Sequence, residues 1–270
     1  MSKKFEKVEF ENFLSQTINS LQSFLLKLFN RQDHRSQKRA SLMTYWINDY
    51  INYQNNEDNF IPSNLPKYDR GNIVKVHFGY RVGNELGGLH YAVILDNNNS
   101  KKSGVVTVAP LTSIKDTTNI SQNSPYIAQL QRGVYDLMQE KCDNSITQAF
   151  AKVQKYQKSL QELKGINLEY ESMTKYRDDY EFQIRIQETY EKCNKQDVEC
   201  DKVLKQATRY MEELEQLKKG SLVNLGQITT ISKQRISNPK MVSDSLYKIK
   251  LCNTDLDIIN EKLKKLYIHE

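Results

Sequence analysis

The chain has 270 residues, with 39 Lys+Arg against 33 Asp+Glu, a formal charge of +6, and 38% hydrophobic residues. Ten glycines, five prolines and four cysteines exclude a collagen-like, proline-rich or disulfide-built chain, and 16 Tyr with 9 Phe exclude one that is disordered throughout. The basic surplus is too small to wrap nucleic acid but admits an anionic partner, and no apolar run reaches the ~18–20 residues of a membrane span or forms a signal-peptide core, so a cytoplasmic protein is expected. At the N-terminus Phe10, Phe13, Leu14, Ile18, Leu21, Leu25 and Leu28 recur at steps of three and four, which predicts an amphipathic helix. A second helix is expected over about 36–53, through Leu42, Tyr45, Trp46 and Tyr50. Between them Arg31, His34, Arg35, Lys38 and Arg39 form a basic cluster. It reads either as a solvated helix end or as a contact to a phosphate backbone.

Glycine and proline are unevenly placed. Six of ten glycines lie in 71–104 and four of five prolines in 62–125, whereas 134–219 holds no proline and only Gly165. Residues 55–69, Asn-rich and then carrying Pro62 and Pro66, read as a linker. Strands are expected at 72–78, 90–95 and 104–109, with a turn at 97–100, a fourth short strand at 127–130 and a short helix at 134–138. From about 144 to 217 the pattern is heptad-like: Ile146, Ala149, Val153, Tyr156, Leu160 and Leu163, resumed by Val203, Ala207, Tyr210, Leu214 and Leu217. This predicts a hairpin of two long antiparallel helices turning near Asn194, with arms of ~35 residues, or about 50 Å. Cys193 and Cys200 are seven apart, hence on one helical face, and read as interface thiols rather than metal ligands. Strands return at 221–225 and 227–231, and Thr254-Asp-Leu-Asp257 opens a last helix through Leu256, Ile259, Leu263 and Leu266. No phosphate-binding P-loop, dinucleotide fingerprint or HExxH motif is present.

Two separated segments are specific together. The first is Arg70-Gly71-Asn72-Ile73-Val74, then Gly83-Asn84-Glu85-Leu86-Gly87-Gly88, then the strand at 91–95 and Pro110-Leu111-Thr112-Ser113. It resembles the opening half of the MazF/PemK (Kid/CcdB-like) toxins, with their R-G-D-[IV], G-x-E-x-G-G and P-[IL]-T-S signatures. The second, Ser221-Leu-Val-Asn-Leu-Gly-Gln-Ile-Thr-Thr-Ile-Ser-Lys-Gln-Arg-Ile236, is similar to the family's later stretch. His90 stands where most members carry a catalytic Arg, and Thr229 and Ser232 stand where they carry Arg and Asp.

The resemblance implies an α+β fold: a small SH3-like β-barrel split by the helical hairpin, with added N-terminal helices. The expected parts are an N-terminal extension at 1–58, barrel segments at 67–140 and 220–268, and the coiled-coil hairpin at 144–218. It also implies a homodimeric toxin of a toxin–antitoxin or phage-defence system. Its activity would be metal-independent cleavage of single-stranded RNA, chiefly mRNA, through 2′-OH attack, with no cofactor or metal and with an antitoxin as partner. The site carried over is Glu85, His90, Thr112 and Ser113 for catalysis, and Arg81, Gly83, Gly87, Gly88, Gln227, Thr229, Lys233 and Arg235 for RNA phosphates. A glycine loop exposes backbone N–H groups to phosphate. Hydroxyls donate to phosphorane oxygens. Histidine, with an ordinary pKa near 6.5, exchanges protons near neutrality. Glu85 also reads as a loop carboxylate bonding backbone N–H groups, and His90 as a half-exposed structural side chain. Tyr80 and Tyr91 are candidates for base stacking. The alternative is a catalytically silent binding module whose arm mediates protein interaction.

Overall fold

A computed structural model describes residues 5–114, 124–172 and 180–268. They divide into two compact units, one of residues 1–61 with 77–89 and the other of 62–76 with 90–270.

The first unit is built on α1 (Lys7–Phe29) and α2 (His34–Asn55). Glu6 and Glu9 form a capping box at the start of α1, and Asp33 caps α2 by accepting from the Ser36 N–H at 2.7 Å. The apolar stripe expected of α1 is present but mostly uncovered. Leu28 is buried, whereas Phe10, Phe13, Leu14 and Ile18 stand exposed. One neighbouring helix offers too little surface to cover a stripe that runs the length of α1. The chain then returns to this unit as a glycine-rich loop over 77–89.

The second unit is α+β. Its antiparallel strands are β1 (Ile73–His77), β2 (Leu89–Ile94), β3 (Val105–Ser113), β4 (Ile127–Gln129), β5 (Ser221–Asn224), β6 (Thr229–Ser232) and β7 (Ile236–Asn238); the ends of β1 and β2 reach the loop. The sheet is an open path in the order β4-β5-β3-β2-β1-β7, with β6 pairing β3 beside that path. β3 is its axis, because residues 105–108 pair with β6 and 111–113 with β5, while 108–110 pair with β2 on the other side. Pro110 falls where β3 changes partner, a position that tolerates a missing N–H. One core cluster includes Val93, Leu95, Ala109, Leu111 and Val223 from the strands, with Met138, Tyr210 and Ile259 from helices.

Three helices belong to this unit: α3 (Val134–Ser172), α4 (Tyr180–Gln216) and α5 (Asn253–Tyr267). The short helix expected at 134–138 is the first turn of α3, which runs on without a break. α3 and α4 pair antiparallel, as the ion pairs Lys152–Glu199 at 3.1 Å, Glu162–Lys192 at 2.9 Å and Glu169–Arg185 at 3.8 Å require. Small buried residues, Ser145, Ala149, Ser159, Cys193 and Cys200, fill the seam. Asn194 lies inside α4, so the turn expected there is corrected: α4 starts at Tyr180, and nothing around Asn194 is a helix breaker. α5 starts at Asn253 with no side-chain cap, and its first turn is tied by a longer-range link. Asp255 is fully buried and accepts from the Gln131 N–H at 2.7 Å and, more weakly, from the Arg132 N–H at 3.4 Å. The expected linker is partly packed, since Tyr68 is buried and donates to the Pro239 carbonyl at 2.7 Å. Among the described residues no helix is long and apolar enough to cross a membrane.

Candidate functional site

The loop in the first unit closes on itself through backbone bonds. The Phe78 N–H donates to the Gly88 carbonyl and the Gly88 N–H to the Gly79 carbonyl, each at 2.8 Å. Gly79 has φ +77°, and a Cβ there would stand 2.5 Å from the Trp46 ring, so only glycine lets the loop seat against α2. The seat is extended by His77, whose Nδ1 lies 3.3 Å from an Asp49 oxygen and whose ring meets Trp46 edge-on at 5.1 Å. His77 is therefore packed against the helix. Tyr80 accepts from Arg39 Nε at 2.8 Å. Arg81 Nε donates to the Phe78 carbonyl at 3.1 Å, and its Nη1 is 4.0 Å from the Glu85 carboxylate. Of the predicted residues, Arg81, Gly83, Glu85, Gly87 and Gly88 thus share this unit. Glu85 and Gly83 are exposed, and a Cβ on Gly83 or Gly88 would meet open space.

The other predicted residues lie in the second unit. The β2–β3 register pairs Ala92 with Pro110 and Ile94 with Val108. The paired register ends there: from Leu111 on, β3 pairs with β5, Thr112 standing opposite Leu222, while His90 lies on β2 before Ala92. Thr229 opens β6 opposite Val108. Val108 lies four residues along β3 from Thr112, or roughly 13 Å. Both His90 and Thr112 are half-buried. Ser113 alternates to the opposite face, where it pairs with Ser221, so the structure does not bring it beside Thr112. Gln227 and Arg235 end two short 3₁₀ turns and are half-buried.

Lys233 departs from expectation. It is 1% exposed, and its Nζ donates to the Ser100 carbonyl at 2.9 Å and lies 5.9 Å from the Tyr68 ring centre. Burial pushes its ammonium below the ordinary lysine range, with Asp96 opposing. The aliphatic stem continues the buried alternation of Ile231, so this lysine ties a turn to the sheet rather than facing solvent. Tyr91 is also committed. Its hydroxyl donates to Glu213 and Lys75 Nζ stands 5.3 Å over its ring. Arg70 of the opening motif donates to the Leu95 carbonyl and to Asn260, which fixes the end of β2 to α5.

A buried polar network at the root of the arm was not legible in the sequence. Glu213 of α4 is 9% exposed and accepts from Lys75 Nζ at 3.1 Å, Ser245 Oγ at 3.2 Å, Asn238 Nδ2 at 3.5 Å and the Tyr91 hydroxyl. Nearby, Lys141 Nζ donates to the Ser245 and Tyr247 carbonyls at 2.9 and 2.6 Å, and burial pushes its pKa down to about 8. The one available signal was that Glu213 follows Tyr210 by three residues on the apolar seam. Among the described residues no cluster of three or more His, Cys, Asp or Glu is arranged to hold a metal ion.

The fold is that of an α+β protein whose antiparallel sheet carries His90 on β2 and Thr112 on β3, preceded in the chain by a glycine loop. Residues 69–148 match the family described as PemK-like, MazF-like toxin of type II toxin–antitoxin system. The resemblance drawn from the motifs at 70–113 therefore holds over this stretch, which is fewer than a third of the 270 residues. The match begins beside Arg70 and ends inside α3, before β5, β6 and β7. No curated protein matches the chain.

Proposed function

We propose that the chain is a PemK/MazF-like toxin that cleaves single-stranded RNA without a metal ion. The family match at 69–148 carries this reading, and the placement of His90 and Thr112 on the neighbouring strands β2 and β3 supports it. The segments 67–140 and 220–268 together make one SH3-like domain, interrupted by a coiled-coil hairpin at 144–218 and preceded by the extension at 1–58. The pairing of β3 with both β5 and β6 supports that division. His90 exchanges the proton in 2′-OH attack and Thr112 donates to a phosphorane oxygen, while Glu85 and the glycine loop are the family-motif residues of the first unit. The ribose 2′-oxygen loses its proton and bonds to phosphorus. The bond to the 5′-oxygen breaks, and that oxygen takes a proton, leaving a 2′,3′-cyclic phosphate. The setting is a toxin–antitoxin system in the cytoplasm, with an antitoxin and a second copy as partners. The exposed apolar stripe of α1 supports a protein partner.

The test is a labelled single-stranded RNA incubated with protein in EDTA. Cleavage is expected to persist and to yield cyclic-phosphate ends, and His90→Ala or Thr112→Val is expected to lower it by about 10²–10³. Equal cleavage by the parent and His90→Ala would overturn the assignment of the site. Absence of cleavage by folded parent protein would favour the silent binding module, a reading that Thr229 and Ser232, in place of the family Arg and Asp, specifically support.

A further inference from the structure

The family match starts at residue 69, so it leaves α1 and α2 without a role. Yet α2 and the glycine loop share a cleft inside the first unit. Its volume is about 920 Å³, and Arg31, Arg35, Lys38 and Arg39 line one side while Tyr80 and Arg81 line the other. No aspartate or glutamate lines it. The four cations from the α2 side are exposed, and among the described residues Arg31, Arg35 and Lys38 form no ion pair. The nearby carboxylate, Asp33, is occupied as the helix cap. Two of the five cations are held in place, Arg39 by the Tyr80 hydroxyl and Arg81 by the Phe78 carbonyl.

Glu85 at 4.0 Å from Arg81 and Asp33 beside Arg31 and Arg35 offset only part of the charge of five cations, and an anion in the cleft would offset the rest. The space exceeds what one phosphate needs. Arg35 and Arg39 are one helical turn apart, about 6 Å of rise, so positive charge repeats along an axis as it must for a chain of phosphates. Tyr80 and Trp46 add aromatic surface to the same cleft, and such surface stacks bases without regard to sequence. We infer that the helical extension and the glycine loop form a groove for the phosphate backbone of single-stranded RNA. The inference rests on the ribonuclease reading for the identity of the polyanion. The extension then raises affinity for the substrate and takes no part in the chemistry.

The experiment measures anisotropy of a labelled, fully 2′-O-methylated single-stranded RNA, which lacks the attacking hydroxyl, with the full chain and with Arg31→Gln/Arg35→Gln/Lys38→Gln. These side chains are exposed and only Asp33, itself held as the helix cap, feels the charge of Arg31 and Arg35, so the variant should keep the parent's circular dichroism and melting curve. Arg35→Gln/Lys38→Gln serves as a milder second variant. We expect affinity to fall by about 10-fold or more near 0.1 M salt, and the slope of log K against log salt to shrink by about 2, at ~0.7 for each phosphate no longer neutralised. Unchanged affinity and slope in both variants would overturn the groove. So would tighter binding of a poly-glutamate peptide than of RNA by the parent with loss in the variants, which would make the cleft a protein site. The two readings separate in the EDTA cleavage assay. If the parent cleaves RNA and the triple variant cleaves and binds as well, the groove fails and the ribonuclease stands. If the parent binds RNA with the steep slope but never cleaves it, the groove stands and the ribonuclease fails.

Discussion

Removing Glu213 should be among the most damaging single changes in the second unit, and Lys75 should account for much of the damage. Side-chain exposures of 16% for Lys75 and 11% for Glu213 put the pair nearly out of water. Glu213→Leu would leave the Lys75 ammonium with only Gln216 Oε1, at 3.1 Å, and the Tyr91 ring. Breaking a buried pair in this way typically costs about 3–5 kcal/mol. Lys75→Met should cost less, about 2–3 kcal/mol, because Tyr91, Ser245 and Asn238 still donate to the carboxylate. The double variant removes both charges and keeps similar volume, so its loss should fall short of the sum by about 2 kcal/mol or more. Urea unfolding followed by far-UV circular dichroism reads this directly, since α3 and α4 supply much of the helix. Additivity of the two single losses within about 0.5 kcal/mol would refute the coupling.

Gly79→Ala should force the loop off α2, because the new methyl group meets the Trp46 ring at 2.5 Å and the backbone has φ +77°. Trp46 is the only tryptophan in the chain, so its fluorescence should shift to the red, and unchanged emission would contradict the packing. Asp255→Ala should cost about 2–3 kcal/mol by stranding the Gln131 and Arg132 N–H groups, lowering the melting temperature by roughly 5–10 °C; a smaller shift than ~2 °C would mean water replaces the carboxylate. Lys141 has a folded pKa of about 8, below the 10.5 of the unfolded chain. Its charged form is therefore disfavoured by folding, and stability should rise as pH climbs from about 8 towards 10.5. Relative to Lys141→Met, the gain between pH 7.5 and 9.5 should be at most about 1–2 kcal/mol, because the side chain is only partly buried; a falling difference would reverse the sign.

Periodicity made the strands and the hairpin legible, and the motifs at 70–113 led to the family that the match at 69–148 also names. What stayed hidden was the pairing between distant residues. Lys233 reads as a basic residue in a basic stretch, and only its register after Ile231 shows that it is buried. Thr112 and Ser113 read as twin donors, but the pleat sends them to opposite faces. The turn at Asn194 failed because a hairpin's reversal leaves little mark in a charged, breaker-free sequence. The basic cluster at 31–39 was plain, whereas its opposing wall was not, since nothing local says that Gly79 seats on Trp46.

The partners of β3 bear on how the protein is made. Val108 pairs with Thr229, so this strand leaves the ribosome 121 residues before one of its neighbours. At ~5–20 residues per second that is a wait of roughly 6–24 s, during which an apolar strand edge stays open to other nascent chains. The hairpin between them shortens the search, because α3 and α4 can zip on local contacts and carry β5 back towards β3. Truncated translation products that stop before Ser221 would lack β5, β6 and β7, and so would hold an unfinished sheet. Completion of the sheet thus waits on the segment from Ser221 to Asn238.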